Sequence, residues 1–173
     1  DRCLSRGLGD VYKRQLVNES FEAFVNVGLL DAEYDGFIAD LDGANAEGLV
    51  EPTNNDYLTP KYAPEMTASF GGTYTADLGD GELQLFAKYS FVDELYSITD
   101  NRDVGKVPST EKIDASITFL KDNYKISLFG RNLTDEITSP VRDISSLMIF
   151  GSPSVGTVYG ITLSCLLYTS PSP

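Results

Sequence analysis

Histidine is absent from all 173 residues, which removes Ser-His-Asp and Cys-His nucleophilic catalysis and most zinc sites. Little else could do chemistry. Ser109-Thr110-Glu111-Lys112 has the Ser-x-x-Lys spacing in which a lysine activates a serine. Its companion Ser-Asp-Asn and Lys-Thr-Gly elements are missing and it falls at a strand start, so coincidence accounts for it. Asp40, Asp42 and Glu51 occupy positions 1, 3 and 12 of a calcium-loop template, but Ala44 and Asn45 stand where a ligand and the turn glycine belong. A solvated acidic run explains them better than loose calcium binding. Cys3 and Cys165 are the only cysteines, and a 3–165 disulfide is not expected. Asn18-Glu19-Ser20 and Asn132-Leu133-Thr134 match a glycosylation acceptor on paper, a pattern that would be irrelevant if the source is bacterial. The expectation is a protein that is not an enzyme, with no catalytic, metal or cofactor-binding residue and no cofactor.

The elements that carry these residues are strands. Ile113, Ala115, Ile117 and Phe119 alternate with Asp114, Ser116 and Thr118, the period of two that gives a strand unlike faces. Lys121-Asp122-Asn123 supplies turn chemistry, and Tyr124, Ile126 and Leu128 then return opposite Lys125, Ser127 and Arg131. Met66 to Ala76 alternates in the same way, turns through Asp77 to Gly81, and returns with Leu83, Leu85, Ala87, Tyr89 and Phe91 on one face. Phe86 is the exception there. A strand from Phe21 to Tyr34 sets Ala23, Val25, Val27 and Leu29 against Asn26 and Gly28, and a last strand sets Tyr159, Ile161 and Leu163 against Gly160, Thr162 and Ser164. These make an all-β antiparallel up-and-down meander of about six strands.

Connections run long, short, long, short, long. Residues 31 to 60 hold eight acids and no Lys or Arg, which reads as a long polar loop of the kind kept for a purpose. Leu147-Met148-Ile149-Phe150 is read as the top of the last strand, with an apolar wall facing a ligand as the alternative. The formal charge of −13 argues against a nucleic-acid partner, because phosphate contacts need a basic surface. No run approaches the ~20 apolar residues of a membrane helix, and no secretory signal opens the chain. With 10 Tyr and 9 Phe the composition suits strands.

The two ends read as foreign. Residues 1–15 hold 4 of the 13 basic residues without a clean strand period, and Cys165-Leu166-Leu167-Tyr168-Thr169-Ser170-Pro171-Ser172-Pro173 interrupts an alternating strand. Both look like translated sequencing-adapter read-through on an environmental gene fragment. The expected organisation is therefore a non-native segment at 1–15, a native segment at 16–164, and a second non-native segment at 165–173. Neither end is expected to join the sheet.

Phe129-Gly130-Arg131-Asn132-Leu133-Thr134-Asp135-Glu136 closely resembles the end of the penultimate strand of TonB-dependent outer-membrane receptors, and Gly28-Leu29-Leu30-Asp31-Ala32-Glu33-Tyr34-Asp35 resembles another barrel strand of that family. The resemblance implies the C-terminal section of a transmembrane β-barrel of about twenty-two strands, in the bacterial outer membrane. It implies import of a scarce ligand (ferric siderophore, cobalamin or oligosaccharide) driven through TonB, with the plug domain and TonB box on missing upstream sequence. Two features depart from the family: the last strand lacks its terminal aromatic, and Gly156-Thr157-Val158-Tyr159-Gly160 lacks the expected Pro and Arg. Asn132 and Asp135 are read as turn-formers rather than ligand contacts. Ligand-facing segments are expected at 35–63, 97–108 and 137–155, with no individual residue assigned.

The short connections suit periplasmic turns and the long ones extracellular loops. Ile117 is then expected to face lipid and Ser116 the lumen. A passive porin or other outer-membrane barrel would share these features, and a secreted carbohydrate-binding β-sandwich would share the alternation.

Overall fold

The computed structural model describes residues 2–41, 51–139, 141–144 and 148–165. Seven strands form one antiparallel sheet whose spatial order is the chain order. They are β1 (Arg2–Asn18), β2 (Phe21–Asp35), β3 (Met66–Asp77), β4 (Glu82–Val92), β5 (Thr110–Lys121), β6 (Tyr124–Arg131) and β7 (Val158–Cys165). The meander of barrel type is as expected, with one strand more than the pattern predicts.

That extra strand corrects the expectation that residues 1–15 lie outside the sheet. β1 pairs with β2 from Arg2 opposite Asp35 to Asn18 opposite Phe21, with register shifts at Gly7/Gly9 and Leu16/Asn18. Backbone pairing does not require the side-chain period whose absence suggested otherwise. Cys165 likewise joins the sheet, opposite Tyr124; residues 166–173 lie outside the described residues. Cys3 and Cys165 sit on opposite edge strands, and Cys165 is a free, exposed thiol.

Turn chemistry fixes the register at the short connections. Ser20 N–H donates to Asn18 Oδ1 at 2.9 Å, and Gly79 N–H to Asp77 Oδ1 at 2.7 Å. Gly79 takes φ 79 and Asp122 φ 49, the left-handed conformation that glycine and aspartate tolerate. Since side chains alternate, this register carries every residue to a definite face.

From β2 to β7 one face is apolar in row after row. Phe21, Tyr74, Leu85, Ile117, Leu128 and Ile161 stand side by side, and so do Val25, Phe70, Tyr89 and Ile113. This face is open: Ile117 is 51% exposed and Ile161 74%. The other face is polar and bonded across strands. Asn26 Nδ2 donates to Ser69 Oγ at 2.9 Å, Thr118 and Ser127 share a hydroxyl bond of 2.8 Å, and Lys88 Nζ lies 3.3 Å from Asp114 Oδ2.

Phe86, the misfit in the alternation, has a reason on the polar face. Its ring stacks with Phe24 at 6.4 Å and 13°, across Gly71, where a Cβ would come within 2.3 Å of the Ala87 carbonyl. Phe129 covers Gly160 in the same way. Aromatic rings laid over strand glycines recover area that the missing side chain cannot bury.

Among the described residues no second layer packs on the apolar face, and the buried hydrophobic residues are Phe37, Leu58 and Val107, all in the long connections. No helix among them is long and apolar enough to cross a membrane.

Candidate functional site

All three long connections leave the same end of the sheet, and each contains a small hairpin that the sequence pattern did not reveal. The first spans 36–65, the second 93–109 and the third 132–157. Before the first begins, β2 runs six residues past Leu29, where its pairing with β3 stops. Asp31, Glu33 and Asp35 lie on this strand, extending beyond the apolar rows; the polar loop read over 31–60 therefore begins only after Asp35.

The first connection turns at Gly36, φ 72, and buries Phe37 beneath Tyr34, with ring centroids 4.5 Å apart. Ile38–Ala39 pairs with Thr53–Asn54. Asp56 closes this hairpin: Oδ1 accepts from Phe37 N–H at 2.6 Å and Oδ2 from Asn54 Nδ2 at 2.9 Å. The Phe37 amide, and after it the Asn54 side chain, hold the Asp56 carboxyl below its ordinary range. Asn55 is buried and donates to the carbonyls of Ala39 and Thr53. Asp42 lies outside the described residues, and among those described no three His, Cys, Asp or Glu side chains gather as a metal site would require.

In the second connection Leu95–Tyr96 pairs with Lys106–Val107. Ser97 donates its hydroxyl to the Gly105 carbonyl at 2.9 Å, and Ile98 packs so closely on Gly105 that a Cβ there would lie 2.0 Å from Ile98 Cγ1. Lys106 pairs with Glu94 at 2.8 Å, and that bond raises the lysine's pKa. Two fastenings join this connection to the first. Asn101, at φ 50, accepts Thr59 N–H on Oδ1 at 2.6 Å and returns Nδ2 to the Thr59 carbonyl at 2.9 Å. Tyr62 N–H donates to the Tyr96 carbonyl at 2.8 Å.

The third connection is gathered at its base by Asn132, which is 6% exposed with φ 51. Its Nδ2 donates to the carbonyls of Glu136 at 2.9 Å and Val155 at 3.1 Å, and its Oδ1 accepts Glu136 N–H at 3.0 Å. Thr157 donates its hydroxyl to the Asn132 carbonyl at 2.7 Å and its amide to Asp135 Oδ1 at 2.9 Å. Asn132 and Asp135 thus act as turn-formers, and both take positive φ. Val141–Ile144 pairs with Ile149–Ser152 in a separate hairpin. This corrects the reading of 147–150 as the top of the last strand; Met148 and Phe150 are exposed.

Two clefts adjoin this end. A cleft of about 950 Å³ lies between the β2 extension and the first connection, lined by Tyr34, Tyr57, Leu58 and the carboxylates of Asp31, Glu33, Asp56, Glu65 and Asp93. A second, of about 570 Å³, lies on the polar face among Phe86, Lys88, Asp114, Ser116, Ser127, Phe129 and Arg131. The Arg131 guanidinium lies over the Phe129 ring at 5.2 Å. Both offer shape, hydroxyls and charge, which suits binding. The segments expected to face a ligand are gathered at this end. The residues that fasten them, Asp56, Asn101 and Asp114, were not anticipated. Asn101 had a faint signal in the turn-forming Thr99-Asp100-Asn101.

No family model matches the chain. Among solved structures, the ferric yersiniabactin uptake receptor FyuA from Yersinia pestis has a similar fold, with a TM-score of 0.76 at 15% identity, covering 96% of this chain and 24% of that one. The chain therefore spans about a quarter of that receptor's length. At so low an identity the likeness is one of fold alone, an antiparallel meander of barrel type.

Proposed function

We propose that the chain is the C-terminal section of the barrel of a TonB-dependent outer-membrane receptor, its apolar face against lipid and its polar face toward the lumen. The carrying observation is the set of apolar rows that continue from β2 to β7 and stay exposed. Burying one large aliphatic side chain gains roughly 1.5–3 kcal/mol, and leaving the nine exposed ones of this face in water forfeits much of that gain at each. Hydrocarbon restores it, and the bonded strands satisfy the backbone there. The ligand class is a scarce nutrient complex (a ferric siderophore, cobalamin or an oligosaccharide) taken by the three long connections and imported with energy delivered through TonB to upstream parts. The test uses the full-length gene. Its product should fractionate with the outer membrane and restore growth on one of these ligands only when TonB is present. Growth independent of TonB would favour a passive porin, and partition into water a sandwich.

The origin of residues 1–15 belongs to the same proposal. In the register of β1, Lys13 stands opposite Val25 and Gln15 opposite Ala23, on the face that is apolar in the other strands. A native barrel strand here would carry apolar residues at those places. Sequencing the locus from intact DNA should return different residues at 1–15 and 165–173; the same codons in frame would overturn the adapter reading.

A further inference from the structure

Asp114 stands on the polar face of β5, its side chain 29% exposed, and its two oxygens do different things. Oδ2 takes the Lys88 ammonium, directly across the strand pair, at 3.3 Å. Oδ1 accepts the backbone N–H of Asn132 at 2.9 Å. That amide belongs to the residue whose side chain grips Glu136 at the entry of the third connection and Val155 at its exit. We infer that Asp114 is a positioning residue: held by Lys88 on the sheet, it fixes Asn132 and through it the base of the third connection. The inference deepens the proposed function, since it rests on that connection facing the ligand.

The physical argument is one of geometry. Asn132 sits one residue past the end of β6 with φ 51, where an L-residue needs local bonds to stay. Its amide has left the ladder and is part-buried, so it requires an acceptor. A carboxylate oriented by an ammonium supplies a charge-assisted one with little freedom to swing. The neighbouring backbone follows: Leu133 N–H donates to the Ile113 carbonyl at 2.7 Å, next to Asp114. Without the carboxylate, Asn132 keeps its grip on Glu136 and Val155 and Leu133 its bond to Ile113, but the Asn132 amide loses its acceptor and the base of the connection is held to β5 less tightly.

The experiment uses the full-length protein folded in detergent or bilayer, with its cysteines replaced by serine and a spin label at a cysteine replacing exposed Phe150. A second label replaces Thr99 in the second connection as a control. Asp114→Ala should broaden the distance distribution between the Phe150 label and a label at Ser116, at least twofold, and leave the Thr99 distribution unchanged. Asp114→Asn retains a carbonyl acceptor and should restore most of the wild-type width, which a merely destabilised barrel would not do. Lys88→Met should give an intermediate width. Should Asp114→Ala fail to fold, the Asp114→Asn and Lys88→Met pair carries the test. An unchanged Phe150 width in a folded Asp114→Ala, or in Lys88→Met where that variant stands in, would overturn the inference, as would equal broadening at Thr99. Since no ligand enters the measurement, this outcome is independent of whether the receptor reading holds.

Discussion

The sheet and its long connections bury opposite things. Across β2 to β7 the large aliphatic side chains are exposed and the polar face is bonded strand to strand, whereas in the connections Phe37, Leu58 and Val107 go inside. On the proposed function, one region is arranged for an apolar solvent and the other for water. The difference teaches that a single rule, bury what the surroundings reject, can produce both arrangements within a few residues of chain. The boundary is visible on β2, where the apolar series ends at Leu29 and Asp31, Glu33 and Asp35 follow on the same face.

Reversing the sheet's arrangement should have the largest effect. Ile117→Arg places a charge on the apolar face and should cost roughly 2–4 kcal/mol at mid-membrane, while its neighbour Ser116→Arg should cost little because water reaches that face. The yield of heat-modifiable folded barrel from the full-length gene reads this. Lipid-borne quenchers should quench a fluorophore at a cysteine replacing Ile117 and spare one replacing Ser116. Equal quenching at both sites would erase the distinction between the faces.

Next in size is a change inside the polar face. Gly71→Ala drives a methyl against the Ala87 carbonyl and beneath the Phe24 ring, and overpacking of this kind costs about 1–3 kcal/mol. A lowered thermal midpoint, partly recovered by Phe24→Leu, would tie the cost to the ring. No recovery would locate it in the backbone alone.

Smaller effects belong to the connections. Asn101→Ala removes both bonds to Thr59 and should cost about 1 kcal/mol, seen as faster proteolysis in the first and second connections together and unchanged cleavage in the third. Smallest is a pH effect at Asp56. Its carboxyl is held below its ordinary range, so its contribution is full above the unfolded value and is lost as pH falls through the folded one. Protection of the Phe37 amide hydrogen, measured against its intrinsic exchange rate, should fall only in acid, and Asp56→Asn should flatten that dependence.

The sheet was legible because its information is local. A period of two, Asp-Leu-Gly-Asp-Gly at 77–81 and Lys-Asp-Asn at 121–123 fix faces and turns without knowledge of any distant residue. β1 escaped because Lys13 and Gln15 break the period while their backbone still pairs. The connections escaped for a different reason. Asn101 meets Thr59 at a separation of 42 residues and Asp114 meets Asn132 at 18, and no local pattern announces a partner so far along the chain. Phe86 lay between: its break with the alternation was visible, but the Phe24 ring it stacks on, itself laid over Gly71, emerged only with the register.

The double fastening of Asn101 to Thr59 also bears on how such a molecule can change over generations. The first and second connections are coupled, because a graft of either alone would lose both bonds between Asn101 and Thr59. They should be inherited, or recombined, together more readily than apart. The third connection is sewn shut at its own base by Asn132 and can be traded alone. If the connections bind ligand as proposed, new preferences should arise in that third segment first, with the other two drifting in concert.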